Sequence, residues 1–122
     1  MKEKHPCHGD YLERFVQPAI LSILTEGPAH GYYILGQMEE RGIASELDST
    51  GLYRSLKKLE DGGKLTSEWE TPEGEKPRKI YTITEKGYRC LSNWHRTLLA
   101  YKVHVENMAA VVDKALEGKE VE

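Results

Sequence analysis

Asp48-Ser-Thr-Gly-Leu-Tyr-Arg-Ser-Leu-Lys-Lys-Leu-Glu-Asp-Gly-Gly63 is the stretch around which the rest of the 122-residue chain is organised. Asp48 suits an N-cap, because its carboxylate can accept from the unpaired N–H groups of a first helical turn. Leu52, Leu56 and Leu59 recur at helical spacing and mark one buried stripe. Gly62 and Gly63 stop the helix, since glycine alone enters the left-handed cap region without steric cost. The opposite face carries Ser49, Thr50, Tyr53, Arg54, Lys57 and Lys58, donors and positive charge with no acid until Glu60. A plain solvated surface helix would also fit these residues, so the segments on either side must decide.

Upstream, His30 to Gly42 predicts a helix, with Tyr33 or Ile34, Leu35 and Met38 facing inward and Gly42 ending it. His30 has no nucleophile or ordered carboxylate nearby, so a capping or packing role suits it better than catalysis. The link from Ile43 to Leu47 is short. Two helices joined compactly, the second one basic, make a helix-turn-helix.

Downstream, the periodicity changes from helical to alternating. Lys64–Glu70 and Arg78–Thr84 predict two strands, separated by the polar Thr71-Pro-Glu-Gly-Glu-Lys-Pro77. Pro77 suits an edge, where a missing N–H does no harm. Lys76, Arg78 and Lys79 cluster where the tip meets the second strand. A basic hairpin directly after a basic helix is the arrangement of a winged helix. An α-helix of this kind fits a DNA major groove. The fold class expected is therefore mainly α with a small β-hairpin: a winged helix-turn-helix over residues 11–86, preceded by an arm at 1–10.

Leu12, Phe15, Val16, Ala19, Ile20, Ile23 and Leu24 give a further helix with a wide apolar face. Pro18 either opens that helix or kinks it near Gln17. The face is broader than a small core needs, so part of it, Phe15 and Ile20, is expected to meet another subunit. After Thr84, a plausible N-cap, comes an uninterrupted helix. Leu91, Trp94, Leu98, Tyr101, Val105, Met108, Val112 and Ala115 follow one another at alternating steps of 3 and 4. About 30 residues at 1.5 Å each make a rod of roughly 45 Å. Residues 87–118 are expected to pair with an identical subunit, leaving 119–122 as a tail. The alternative is an intrachain pairing of the two helices in a monomer. Trp94 and Tyr101 on this seam could also receive a small aromatic effector, although plain packing is the readier account of them.

Composition sets the outer limits. A hydrophobic fraction of 39% and a charged fraction of 30% suit a globular domain. No run is long and apolar enough for a membrane span, no signal-peptide pattern is present, and a cytoplasmic location is expected. Net charge is −3, but it is unevenly spread. Residues 51–89 hold 9 Lys/Arg against 7 Asp/Glu, whereas residues 1–50 hold 4 against 8. The basic segment coincides with the second helix and the hairpin. His5, Cys7 and His8 are metal-ligand types, but their spacing matches no zinc pattern, and two cysteines make no disulfide framework. No P-loop, HExxH or nucleophile elbow occurs, so neither an enzyme nor a cofactor is expected. A helical protein-interaction module, or a metal or redox sensor built on the N-terminal arm, are the competing functional classes.

Taken together, Pro28-Ala-His-Gly-Tyr32, Leu52-Tyr-Arg-Ser-Leu-Lys-Lys-Leu-Glu60 with Gly63, and Pro77-Arg-Lys-Ile-Tyr-Thr-Ile-Thr-Glu-Lys-Gly87 resemble the PadR family of bacterial transcriptional regulators. The likeness runs over roughly residues 12–115, and the short C-terminal part is similar to that of the smaller members. The resemblance implies a winged-helix homodimer that binds double-stranded operator DNA, usually as a repressor. It also implies that Tyr53, Arg54, Lys57 and Lys58 lie on the recognition helix and Arg78 and Lys79 in the wing. Two departures stand out. Thr50-Gly51 replaces a frequent Gly-Thr, displacing a hydroxyl by one position, and Ile80 stands where an aromatic residue is common.

Overall fold

The computed structural model describes residues 11–43 and 49–120, with side chains from residue 15 onward. Asp48, the expected cap, and the His5/Cys7/His8 arm lie outside the described residues. The chain divides into two compact units, one ending at Leu91 and one beginning at Ser92. In the first unit the order is α1 (Tyr11–Leu24), β1 (Ala29–His30), α2 (Gly31–Glu40), α3 (Ser49–Asp61), β2 (Leu65–Glu70) and β3 (Arg78–Ile83), then the start of α4 (Glu85–Ala115).

Pro18 lies inside α1, so the helix neither starts there nor stops before it. Val16, Ala19, Ile20, Leu21, Ile23 and Leu24 are all buried, and α2, α3 and β3 pack around them. A helix that is apolar nearly all round belongs inside a core. This corrects one expectation: Ile20 is 0% exposed and packs within its own chain, so the broad apolar face of α1 serves the core and Ile20 is not available to a second subunit. Phe15, one turn earlier, is half-buried.

Ile34 and Met38 of α2 face the core, whereas Tyr32 and Tyr33 face outward. His30 caps this helix, its Nδ1 accepting the Tyr33 N–H at 3.3 Å. Both α2 and α3 end in the same way. The Ile43 N–H donates to the Met38 carbonyl and the Lys64 N–H to the Leu59 carbonyl, each at 2.9 Å, around Gly42 and Gly63 in the left-handed region. These six-to-one bonds define Schellman caps, which fix where the chain leaves each helix.

The sheet is antiparallel with order β1-β3-β2. The β2–β3 hairpin runs from Leu65 opposite Ile83 out to Glu70 opposite Arg78. A two-residue strand, β1, adds to the other edge of β3, pairing Ala29 with Tyr81 and His30 with Ile80. Thr84 caps α4: the Gly87 N–H donates to its Oγ1 at 3.0 Å, and that hydroxyl donates to the Gly63 carbonyl at 2.7 Å. One side chain therefore ties the C-terminal end of α3 to the beginning of α4. Cys90 is half-buried, a free thiol packed against the core.

The second unit is the remainder of α4 with a short end. Trp94, Leu98 and Tyr101 are half-buried. Leu99 is exposed between them, and beyond Tyr101 the apolar side chains stand in solvent: Val105 is 65% exposed, Met108 61% and Val112 47%, with Val103, Val111 and Leu116 similarly open. Among the described residues no helix is long and apolar enough to cross a membrane.

Candidate nucleic-acid interface

The amphipathicity of α3 sorts its residues cleanly. Leu52, Leu56 and Leu59 are within 1% of full burial. Ser49, Thr50, Tyr53, Arg54, Lys57 and Lys58 are exposed on the other side. Lys57 makes an i,i+4 pair with Asp61 at 3.6 Å, both side chains largely in solvent. Such a pair is worth a few tenths of a kcal/mol at most and yields readily to a better anion. Arg54 and Lys58 make no hydrogen bond or ion pair among the described residues. They are cations held in place by a helix and, among the described residues, left without a counter-charge.

Tyr53 is anchored differently. Its ring end lies against Gly31, at the first position of α2, where a Cβ would overlap the hydroxyl and the ring carbons. Burial, with a smaller contribution from neighbouring Tyr32, pushes the Tyr53 hydroxyl above the ordinary tyrosine value. The Pro28–Tyr32 and Leu52–Glu60 segments thus fit one another: a glycine in the first makes room for a tyrosine from the second. Tyr53 is still 41% exposed, so it braces the helix pair and keeps one edge on the surface.

The wing cations differ among themselves. Lys76, in the tip, is exposed and has no hydrogen bond or ion pair among the described residues. Arg78 donates through Nε at 3.2 Å and Nη2 at 3.0 Å to Glu70, its register partner across the hairpin, in an exposed pair. Lys79 is half-buried, donates to Glu60 at 3.4 Å, and lies 5.8 Å from the Tyr81 ring centre. Glu60 in turn accepts from the Ser67 hydroxyl. These two partners hold the Glu60 carboxyl below the usual carboxylate range, Ser67 foremost. Burial pushes the Tyr81 hydroxyl up, with the Glu60 charge adding to it.

Two surface aromatics were not anticipated from the sequence. Tyr32 is 74% exposed beside Tyr53, and Trp69 is 69% exposed on β2, directly opposite Lys79. Strand alternation contained the signal for Trp69: with Leu65 inward and Ser67 turned toward α3, Trp69 falls on the α3 side two residues further out. Among the described residues no group of three His, Cys, Asp or Glu side chains could hold a metal.

A helical core, a helix presenting exposed cations and hydroxyls, and a hairpin carrying further cations define a winged helix-turn-helix. The chain belongs to the transcriptional regulator PadR-like family, whose model matches residues 20–93. That is a family of regulators rather than of enzymes. The chain is 33% identical over 82 residues to the negative transcriptional regulator PadR of Bacillus subtilis, covering 66% of this chain and 45% of that protein. It therefore spans about half the length of that relative. The structure of a PadR family transcriptional regulator from Eggerthella lenta is 31% identical and superposes with a TM-score of 0.67 over 80% of each chain. A transcriptional regulator from Clostridium thermocellum, at 23% identity, shares the fold with a TM-score of 0.72 over 81% of this chain and 94% of its own.

Proposed function

We propose that this chain binds double-stranded DNA as a homodimeric transcriptional regulator, a repressor that responds to a small aromatic effector and works in the cytoplasm. The observation that carries the DNA-binding part is the outward face of α3, where Arg54 and Lys58 stand exposed, with no ion pair among the described residues, beside Ser49, Thr50 and Tyr53. Residues near the helix start, Thr50, Tyr53 and Arg54, meet base edges or phosphates. Lys57, Lys58, Lys76 and Arg78 meet phosphates, which position the protein without reading sequence. The ion pairs of Lys57 and Arg78 are exposed, and a phosphate can displace Asp61 or Glu70 at little cost.

The homodimer is supported by the open apolar row of α4. Val105, Met108 and Val112 lie on a seam with Leu91, Trp94, Leu98 and Tyr101, and a helix so lined needs a cover. A second α4 supplies a matching seam, and two-fold pairing presents two recognition helices to a pseudo-palindromic operator. Trp94 and Tyr101, two helical turns apart, are the side chains on which a flat ligand would stack. Repression follows the name of the Bacillus subtilis relative, a negative regulator.

The test is a gel shift against fragments selected from genomic DNA. The native chain is expected to retain a discrete set of fragments, and R54A/K58A to lose at least ~100-fold in affinity with its thermal unfolding unchanged. Equal retention by the variant would overturn the assignment of α3. Effector binding is tested by Trp94 fluorescence in a W69F background against planar aromatic compounds. Quenching that saturates supports the effector, and no response across a broad panel removes it.

A further inference from the structure

Lys79 differs from every other cation on this surface. It is half-buried, its ammonium lies over the Tyr81 ring, and it donates to Glu60, a residue of α3 rather than of the hairpin. Glu60 receives one hydrogen bond from each strand of the wing: Ser67 of β2 on Oε2, and Lys79 of β3 on Oε1. Ser67 is the register partner of Tyr81 and Lys79 that of Trp69, so the two contacts come from rungs two residues apart on one face of the hairpin. Toward its tip the hairpin reaches outward on mostly exposed residues, and there Glu70 with Arg78 ties the strands only to each other. Leu65 and Tyr81 pack into one core with the leucines of α3, and among the described residues the side-chain hydrogen bonds that join the recognition helix to the wing all meet on one carboxylate near the end of α3.

An acid at this place would be out of keeping with DNA if left bare. It sits one residue before Asp61, on the helix that carries Arg54, Lys57 and Lys58, and would repel a phosphate held by them. Lys79 removes that difficulty by neutralising it.

We propose that Glu60 is a positioning residue that clamps the wing to the recognition helix, and that Lys79 serves Glu60 rather than a DNA phosphate. This rests on the DNA-binding function proposed above and assigns a different role within it to a basic residue of the wing. Two consequences separate it from a plain phosphate contact. Replacing Lys79 alone strands a negative charge beside the DNA, whereas replacing Glu60 together with Lys79 removes charge and counter-charge at once. And a lysine that touches no phosphate releases no counterion when DNA binds.

The experiment uses the full chain in two arms. In the first, operator affinity is measured from 50 to 300 mM salt for the native chain, K79M, E60Q/K79M and, as a control, K58M. The expected result is that K79M weakens binding about 5-fold while E60Q/K79M, freed of the stranded charge but with the clamp reduced to the Ser67 contact, recovers part of that loss without reaching native affinity, both keeping the native salt slope. K58M should lower the slope by about 0.9, the value for one lost phosphate contact. A double variant as weak as K79M, with the slope reduced, would overturn the proposal and make Lys79 a phosphate contact. The second arm needs no DNA: amide exchange in residues 65–83 is compared for native, E60A and E60Q. The clamp predicts at least about tenfold faster exchange in the wing of E60A, less in E60Q, which can still accept from Ser67, and no change in α1. Unchanged exchange in E60A would show that Glu60 clamps nothing. If the native chain retains no DNA, the proposed function fails while the exchange arm still decides the clamp.

Discussion

Replacing Gly87 with alanine pits two physical effects of opposite sign against each other. Gly87 is the third residue of α4, and helix propensity alone would favour alanine there by up to about 1 kcal/mol. Geometry opposes it. A Cβ at this position would run into the backbone carbonyl oxygen of Lys64 and come within 2.6 Å of Ile83 Cγ1. The carbonyl cannot swing away like the end of a side chain, because the Lys64 oxygen also accepts the Thr84 N–H at 3.1 Å. Forcing a methyl group into such a contact costs about 1–3 kcal/mol in strain. The net expectation is a loss of roughly 1–2 kcal/mol, or about 3–10 °C in Tm for a chain of this size. The assay is thermal unfolding followed by circular dichroism at fixed protein concentration, since dimerisation would make Tm depend on concentration. A Tm equal to or above native would show that propensity prevails and that the close approach of α4 to the start of β2 is not as described.

Three further outcomes follow from the same geometry. Thr84→Ala should lose about 1 kcal/mol or somewhat more, because both the cap on Gly87 and the bond to the Gly63 carbonyl disappear, while Thr84→Ser should keep most of it; chemical denaturation measures both. Gly31→Ala should displace the Tyr53 ring into solvent, so the Tyr53 hydroxyl, identified by difference from Y53F, should titrate closer to the ordinary value of 10.0 in an ultraviolet titration. The Glu60 carboxyl is held below its ordinary value when folded, so its contribution is complete above the unfolded-state value of 4.5 and is lost as pH falls through the depressed one. E60Q should therefore reduce Tm most near neutrality and least near about pH 3, and a reduction that grows toward acid would contradict the sign.

The helices and the hairpin could be read from the sequence because each is encoded locally. Leucines at helical spacing, Gly42 and Gly63 at the stops, and alternation on either side of the Pro-rich tip all act within a few residues. His30 and Thr84 cap their helices as their positions suggested. Strand β1 could not be read, because two residues carry no periodicity and Ala29–His30 becomes a strand only when β3 is beside it. The apolar width of α1 was visible, but width does not say which elements cover it, and Ile20 went to the core. The basic face of α3 was legible residue by residue. The state of Lys79 was not, because its partner Glu60 lies 19 positions away and meets it only once helix and wing are assembled. The Gly31–Tyr53 fit escaped for the same reason.

The most direct measurement of the central claim is a hydroxyl-radical footprint on a genomic fragment selected by the native chain. Two recognition helices related by two-fold symmetry should protect a pair of matching half-sites about one helical turn, ~34 Å, apart. R54A/K58A should abolish both patches together. A single patch without symmetry, or a footprint that the variant leaves intact, would contradict the account.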